Sequence, residues 1–152
     1  MRCGGAYLDM VELPGDDYAS NTNTMMSLRT FREFFKPHLR RLVATVKSYR
    51  DDLLVMFHSD GMIASLIPEL IDIGVDVVHP LEPVVRMDLG QIKADYGDRL
   101  AFLGGIDITH AMTGTVEDVI EEVRTRIAQL APGGGYILAP SNHLQPDVPP
   151  EN

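Results

Sequence analysis

A histidine and an aspartate two residues apart, in Phe57-His58-Ser59-Asp60-Gly61, place an imidazole and a carboxylate on one side of an extended segment. Together they could ligate a divalent metal such as Zn²⁺ or Fe²⁺, or share a proton. Asp60 also fits a plainer role, because Asp-Gly is a strong turn dipeptide and an aspartate there can cap a following helix. Similar polar residues recur at four other places. Asp16 and Asp17 are adjacent carboxylates pointing in different directions, so at most one faces a common site. There it could hydrogen-bond a ligand, bind a metal or exchange protons; the alternative is a solvated turn beside Gly15. His79 and Glu82 flank Pro80, where a histidine also suits a backbone carbonyl as partner. Gly104-Gly105 marks a close approach of backbone to a ligand or a neighbouring strand, and Asp107 just beyond also suits a helix N-cap. Last comes Pro140-Ser141-Asn142-His143, followed by Gln145 and a proline-rich exit. That pattern points to a ligand-facing role for Asn142 or His143, without deciding which. His38 and His110 fall on helix or loop surfaces and receive no role.

Each of these groups ends a short apolar run: Met10 to Asp17, Leu53 to Gly61, Val75 to Pro83, Leu100 to Asp107 and Tyr136 to His143. Helical patterns lie between the runs. Ser27 suits an N-cap for a helix over Leu28 to Tyr49, which Pro37 should kink or split. A second helix is expected over Ile63 to Ile73, stopped by Gly74, and a third from about Asp88 to Tyr96. A fourth begins at Thr115, with Asp118 at the reciprocal position of a capping box and a stripe of Val116, Val119, Ile120, Val123, Ile127 and Leu130. Alternating runs and helices predict repeated βα units, an α/β fold with a parallel sheet. In such folds the carboxyl ends of the strands share one face, and that face carries the chemistry. Gly133-Gly134-Gly135 precedes the last strand, on the opposite end, so it is expected to be a turn and not a phosphate loop.

The 152 residues suffice for one domain with a real core, 45% of them hydrophobic. They fall short of a complete eight-stranded barrel, which needs roughly 200. With only nine residues before the first strand, and Pro149-Pro150-Glu151-Asn152 resembling a helix start, the chain is expected to be the C-terminal portion of something larger. A formal charge of −9 and a pI near 4.8 argue against nucleic acid and anionic membrane surfaces as partners. No run approaches a membrane span, and no signal-peptide pattern opens the chain. The single cysteine, Cys3, forms no internal disulfide, which fits a cytoplasmic location.

In this order the strand ends resemble the uroporphyrinogen decarboxylase superfamily, which also holds cobamide-dependent methyltransferases. The matching stretches are GDDYASN, SLRTFREFFKPHLRRL, FHSDG, IPELIDIGVDVVHPLEP, KADYGDRLAFLGGID and GGYILAPSNHLQPDVPPEN, which cover essentially the whole chain. The resemblance implies a (β/α)₈ TIM barrel, of which this chain supplies strands four to eight. In the decarboxylase branch the last strand carries an active-site histidine within Gly-His-Gly; on the shared Pro-Asp-x-Pro-Pro-Glu-Asn exit, Asn142 falls on that position and His143 one residue later. In the methyltransferase branch a His-x-Cys pair and a later cysteine hold zinc; His58 matches the histidine, while Asp60 and Asn142 replace the two cysteines.

Taken with the strand-end positions, these correspondences lead to expected catalytic roles for His58, Asp60 and His143, and expected substrate-binding roles for Asp16, Asp17, Glu82, Gly105, Asp107 and Asn142. They imply at most a weak, chelator-labile metal site at His58 and Asp60. The first expectation is part of a carboxy-lyase acting on a carboxylated tetrapyrrole in porphyrin biosynthesis, with no cofactor. The second is a corrinoid-dependent methyltransferase using zinc and a corrinoid protein. The third is a non-catalytic half-barrel that binds or dimerises. A small-molecule substrate and a homodimer are expected. Binding many carboxylates calls for basic groups, yet the arginines here fall on helices, Arg86 in a βα loop excepted. The family's substrate-binding arginines lie outside this chain, so alone it is expected to be inactive. An incomplete barrel would also leave strand residues including Val55, Phe57, Val77, Phe102 and Leu138 without the opposing half.

Overall fold

Each expected run contributes one strand, shorter than the run itself because the polar ends leave the sheet. A computed structural model describes residues 7–13, 15–84 and 86–152, and Cys3 lies outside them. The strands are β1 (Met10–Glu12), β2 (Leu54–His58), β3 (Val77–His79), β4 (Ala101–Ile106) and β5 (Tyr136–Pro140). All pair in parallel, in the order β1-β2-β3-β4-β5. The register sets Met10 opposite Leu54, Met56 opposite Val77, and His58 opposite His79. All five carboxyl ends therefore open on one edge of the sheet.

Direct partners in a parallel pair point to the same side, so the register sorts the strand residues into two faces. Val55, Phe57, Val78 and Phe102 share one face and are buried in the main apolar cluster. That cluster also takes in Leu39, Val43, Leu70, Ile92 and Leu130 from the helices. The other face carries Glu12, Leu54, Met56, His58, Val77 and His79. The expectation that Val55, Phe57, Val77, Phe102 and Leu138 would stand without cover is corrected for the first four, which are 0–2% exposed, while Leu138 is 41% exposed. Val77 lies on the opposite side from Val55, Phe57 and Phe102, which pack against helices.

The first helical segment is split as Pro37 requires. Leu28–Thr30 (α1) is capped by Ser27, whose hydroxyl accepts from the Thr30 N–H at 3.1 Å. A π-helical stretch, Phe31–Phe35, follows, with the Lys36 N–H donating to the Phe31 carbonyl. Lys36–Lys47 (α2) then holds Pro37 in its first turn. Proline has no N–H for the carbonyl four residues back, and the widened turn just before it absorbs the defect. Buried Phe31 stacks on Phe35, and the Tyr18 ring meets both edge-on.

Helix α3 (Ile67–Ile73) starts four residues later than its apolar pattern suggests, because Pro68 belongs in a first turn and residues 64–66 form a turn. Its N-cap is Leu66, so Asp60 caps no helix. Glu69 of α3 is buried and accepts from both Arg32 and Lys36, which hold its carboxyl below the usual range and tie α3 to the segment before it. Helix α4 (Leu89–Tyr96) is capped by Asp88, and α5 (Val116–Leu130) by the anticipated capping box. There the Thr115 hydroxyl accepts from the Asp118 N–H at 3.2 Å, and Asp118 Oδ2 accepts from the Thr115 N–H at 2.8 Å. Thr115→Ala is expected to lower stability by about 1 kcal/mol in denaturant titration, with Thr115→Ser near wild type. Of the α5 stripe only Leu130 is fully buried; Val116, Ile120 and Ile127 remain 39–46% exposed. Gly133, Gly134 and Gly135 form the turn into β5, and residues 149–152 make a single turn whose Asn152 side chain donates to the Met112 and Gly114 carbonyls. Among the described residues no helix is long and apolar enough to cross a membrane.

Candidate functional site

Beyond the end of β2 the chain turns sharply, and the turn His58–Gly61 gathers contacts from three other strand ends. Ser59 is fully buried; its N–H donates to the His79 carbonyl at 3.0 Å, and its hydroxyl accepts from the Tyr18 N–H at 2.9 Å. The Asp60 N–H donates to Asp17 Oδ1 at 2.9 Å, and the Gly61 N–H to Glu82 Oε2 at 2.6 Å. Asn142, beyond β5, donates its amide to Asp60 Oδ2 at 2.6 Å. Gly61 has φ +83°, and a Cβ there would sit 2.6 Å from the Ser20 carbonyl oxygen, a backbone atom that cannot rotate away. Gly61→Ala is accordingly expected to destabilise by roughly 2–4 kcal/mol, read as a lowered denaturation midpoint.

Three ligand-type side chains converge above this turn. Asp17, His58 and Asp60 each offer one atom, and the three atoms lie within 4.8 Å of one another. His58 Nε2 stands 3.9 Å from Asp17 Oδ1 and 3.8 Å from Asp60 Oδ1. Asp60 Oδ1 is buried and makes no hydrogen bond. Burial pushes the Asp60 carboxyl above the usual carboxylate range, and the charge of Asp17 adds to the push; His58 and Asn142 oppose it. On its other side the His58 ring is bonded, Nδ1 to Nδ1 of His79, at 2.9 Å. His79 is half-buried, and that burial, followed by the proximity of His58, lowers its pKa.

Glu82 and Asp107 lie further out. Burial raises the Glu82 pKa; the Gly61 N–H offsets part of this, while Asp60, Asp107 and Asp17 add to it. For Asp107 burial also pushes upward, but donation from Thr109 and His110 outweighs it and holds the carboxyl below its usual range. The Asp107 carboxylate thus caps the turn after β4, and His110, given no role from sequence, sits 3.2 Å from it. Glu82, Arg86, Asp107, Thr109 and His110 help line a cavity of about 450 Å³. A neighbouring cleft of about 300 Å³ is lined by Glu12, His58, His79, Pro140, Asn142 and His143.

Of the residues anticipated from sequence, Asp17, His58, Asp60 and Asn142 come together directly, with Glu82 joined through Gly61. His143 is exposed on the rim of the smaller cleft, its N–H donating to Asn142 Oδ1. Asp16 stands outside the cluster, so only one of the two adjacent, exposed carboxylates joins it. At Gly105, φ is +90° and the position of an added Cβ lies 2.9 Å from the Tyr136 hydroxyl. The close approach there is to the neighbouring strand, with the Tyr136 hydroxyl donating to the Gly104 carbonyl at 2.8 Å. His79, for which a backbone carbonyl was the alternative partner, bonds the His58 ring instead, and Glu12 was not anticipated. The available signal was that two successive runs both end in histidine, since equal-length approaches to the same sheet edge bring such ends side by side.

One imidazole and two carboxylates form a borderline-to-hard donor set that suits a divalent cation, and the unbonded, buried Asp60 oxygen is the atom such an ion would satisfy. Comparison with known proteins narrows the setting. The sequence model of the family described as Uroporphyrinogen decarboxylase (URO-D) matches residues 13–152. The uroporphyrinogen decarboxylase of Chlorobium limicola is 27% identical over 126 residues, 80% of this chain and 34% of that protein. The methylcobamide:CoM methyltransferase MtaA of Methanosarcina barkeri is 26% identical over 129 residues, 84% of this chain and 35% of that protein. Among solved structures, a methyltransferase from Methanosarcina mazei superposes with a TM-score of 0.73 at 22% identity, over 96% of this chain and 40% of that one. The chain thus spans about a third of the length of the curated relatives it matches.

Proposed function

Because the chain belongs to the uroporphyrinogen decarboxylase family, we propose that it forms part of a (β/α)₈-barrel enzyme of the methyltransferase kind, acting with a corrinoid protein. The observation that carries this reading is the Asp17–His58–Asp60 triad with its unbonded Asp60 oxygen. Asp17, His58 and Asp60 would hold a divalent cation, which when bound lowers the pKa of a nucleophile and orients it. Asn142 keeps Asp60 in place by donating to its outer oxygen, and the Asp60 N–H does the same for Asp17. Glu82 and Asp107 give the larger cavity an acidic wall, in which Arg86 is the one cation among the lining residues. His143, on the cleft rim, would contact a bound substrate. Sequential parallel strands, with the helix-packed core on one face, support the barrel. A homodimer and a cytoplasmic setting complete the proposal.

Decarboxylation of a carboxylated tetrapyrrole is the second reading, favoured by the curated decarboxylase relatives. The acidic walls weigh against it, since a many-carboxylate substrate needs paired cations nearby. The test uses the full-length protein in two assays: demethylation of methylcobalamin with a thiol or hydroxyl acceptor, and carboxyl loss from uroporphyrinogen. Metal-dependent demethylation supports the proposal; carboxyl loss insensitive to chelator overturns it. In whichever reaction is found, His143→Ala is expected to lower turnover at least tenfold, about 1.4 kcal/mol of barrier, with the melting temperature moved by only a few degrees.

A further inference from the structure

The contact between His58 and His79 has a direction that the surrounding atoms determine. A 2.9 Å separation between two Nδ1 atoms requires a proton on one and a lone pair on the other. If His79 donates, neutral His58 carries its proton on Nε2, facing two carboxylates. An N–H so placed would draw either oxygen to hydrogen-bond distance. Instead Nε2 stands 3.8 and 3.9 Å from them, and Asp60 Oδ1 stays buried without a bond. That spacing suits a lone pair facing lone pairs. The opposite direction turns the His58 Nε2 lone pair toward the two carboxylates, the arrangement that a cation held among the three would satisfy. His58 donates from Nδ1, His79 accepts at Nδ1, and His79 carries its own proton on Nε2. Glu12 lines the same cleft as His79.

We propose that His79 is a positioning residue that accepts the His58 Nδ1–H bond and so holds His58 Nε2 unprotonated toward Asp17 and Asp60, ready to bind a cation. Its use as a ligand rests on the metal-site reading above; the tautomer does not. The arrangement parallels the way metal-binding histidines are oriented through the second ring nitrogen, usually by a carboxylate or carbonyl. Here the acceptor is a second imidazole, which is neutral and leaves the total charge of the site to the carboxylates.

The test reads the ring nitrogens directly. Magic-angle-spinning spectra of ¹⁵N-histidine-labelled chain, without added metal at pH 8, serve equally for soluble and associated protein. The expected result is His58 protonated at Nδ1 and bare at Nε2, with His79 the reverse. In His79→Phe, His58 should revert to the Nε2–H form that free imidazole side chains prefer, whereas His79→Gln, whose amide oxygen accepts, should keep the Nδ1–H form. A wild-type spectrum with His58 protonated at Nε2 overturns the proposal, as does a His79→Phe spectrum with an unchanged tautomer. Competition with a chelator for Zn²⁺ adds a second readout: His79→Phe should bind 10- to 100-fold more weakly than wild type, and His79→Gln within a few-fold. Should wild type bind no Zn²⁺ while the ring spectra are as expected, the metal-site reading fails and the role of His79 in setting the tautomer stands.

Discussion

His58→Ala and Asp60→Asn are each expected to bind a divalent cation at least roughly a hundredfold more weakly than the parent chain, about 2.7 kcal/mol of lost affinity. Equilibrium dialysis against Zn²⁺ and Mn²⁺, followed by elemental analysis, should find one chelator-labile ion per chain. Lability follows from the donors, because no thiolate is present at positions 60 or 142 to hold zinc as structural sites do. Asp60→Asn keeps the shape of the side chain and removes its charge, so it separates a ligand from a spacer. His38→Ala, an exposed histidine on α2, is the control and should bind as the parent does. Absence of saturable binding, or equal binding by all variants, would overturn the metal reading and return the decarboxylase reading to first place.

The second large effect concerns association. Among the described residues β1 and β5 each have one unpaired edge. Apolar side chains beside them are open to solvent, with Leu54 at 42%, Ile137 at 49% and Leu138 at 41% exposure. Leaving about 500 Å² of apolar surface uncovered forfeits on the order of 12 kcal/mol, comparable to the whole net stability of a domain. Open edges add backbone donors and acceptors that template pairing with another chain. The 152-residue chain is therefore expected to run as a dimer or larger species in size-exclusion chromatography with light scattering, and to bind an apolar dye. A compact monomer with strong near-UV circular dichroism and a sharp two-state melt would show that the five units form a self-sufficient open sheet and no part of a barrel.

Much of the scaffold was legible in the sequence because it is set locally. Thr115 with Asp118, Ser27 and Asp88 each cap a helix within one turn, and their bonds span only three residues. Pro37 and Pro68 act through their own missing N–H groups, although the helix responds differently to each. Before Pro37 it widens into a π turn; before Pro68 it starts late. The half-exposed stripe of α5 was not legible, because periodicity reports which residues share a face and says nothing of whether anything covers it.

By itself the sequence determined that alternating apolar runs and helices make a parallel sheet, and that His58, Asp60, Asn142 and the carboxylates beyond the strands crowd one edge of it. Only the tertiary structure decided which of these groups meet. It set Asp17 beside His58 and Asp60 and left Asp16 outside the cluster, brought Asn142 onto Asp60 and left His143 on the rim, and joined His79 to His58. The reason is that these contacts span 21 to 82 residues and depend on inter-strand register. Register places His58 directly beside His79, and a slip of one residue would send one of them to the helix-packed face. Loop length and turn geometry then aim each side chain, and no spacing within a single run records that aim.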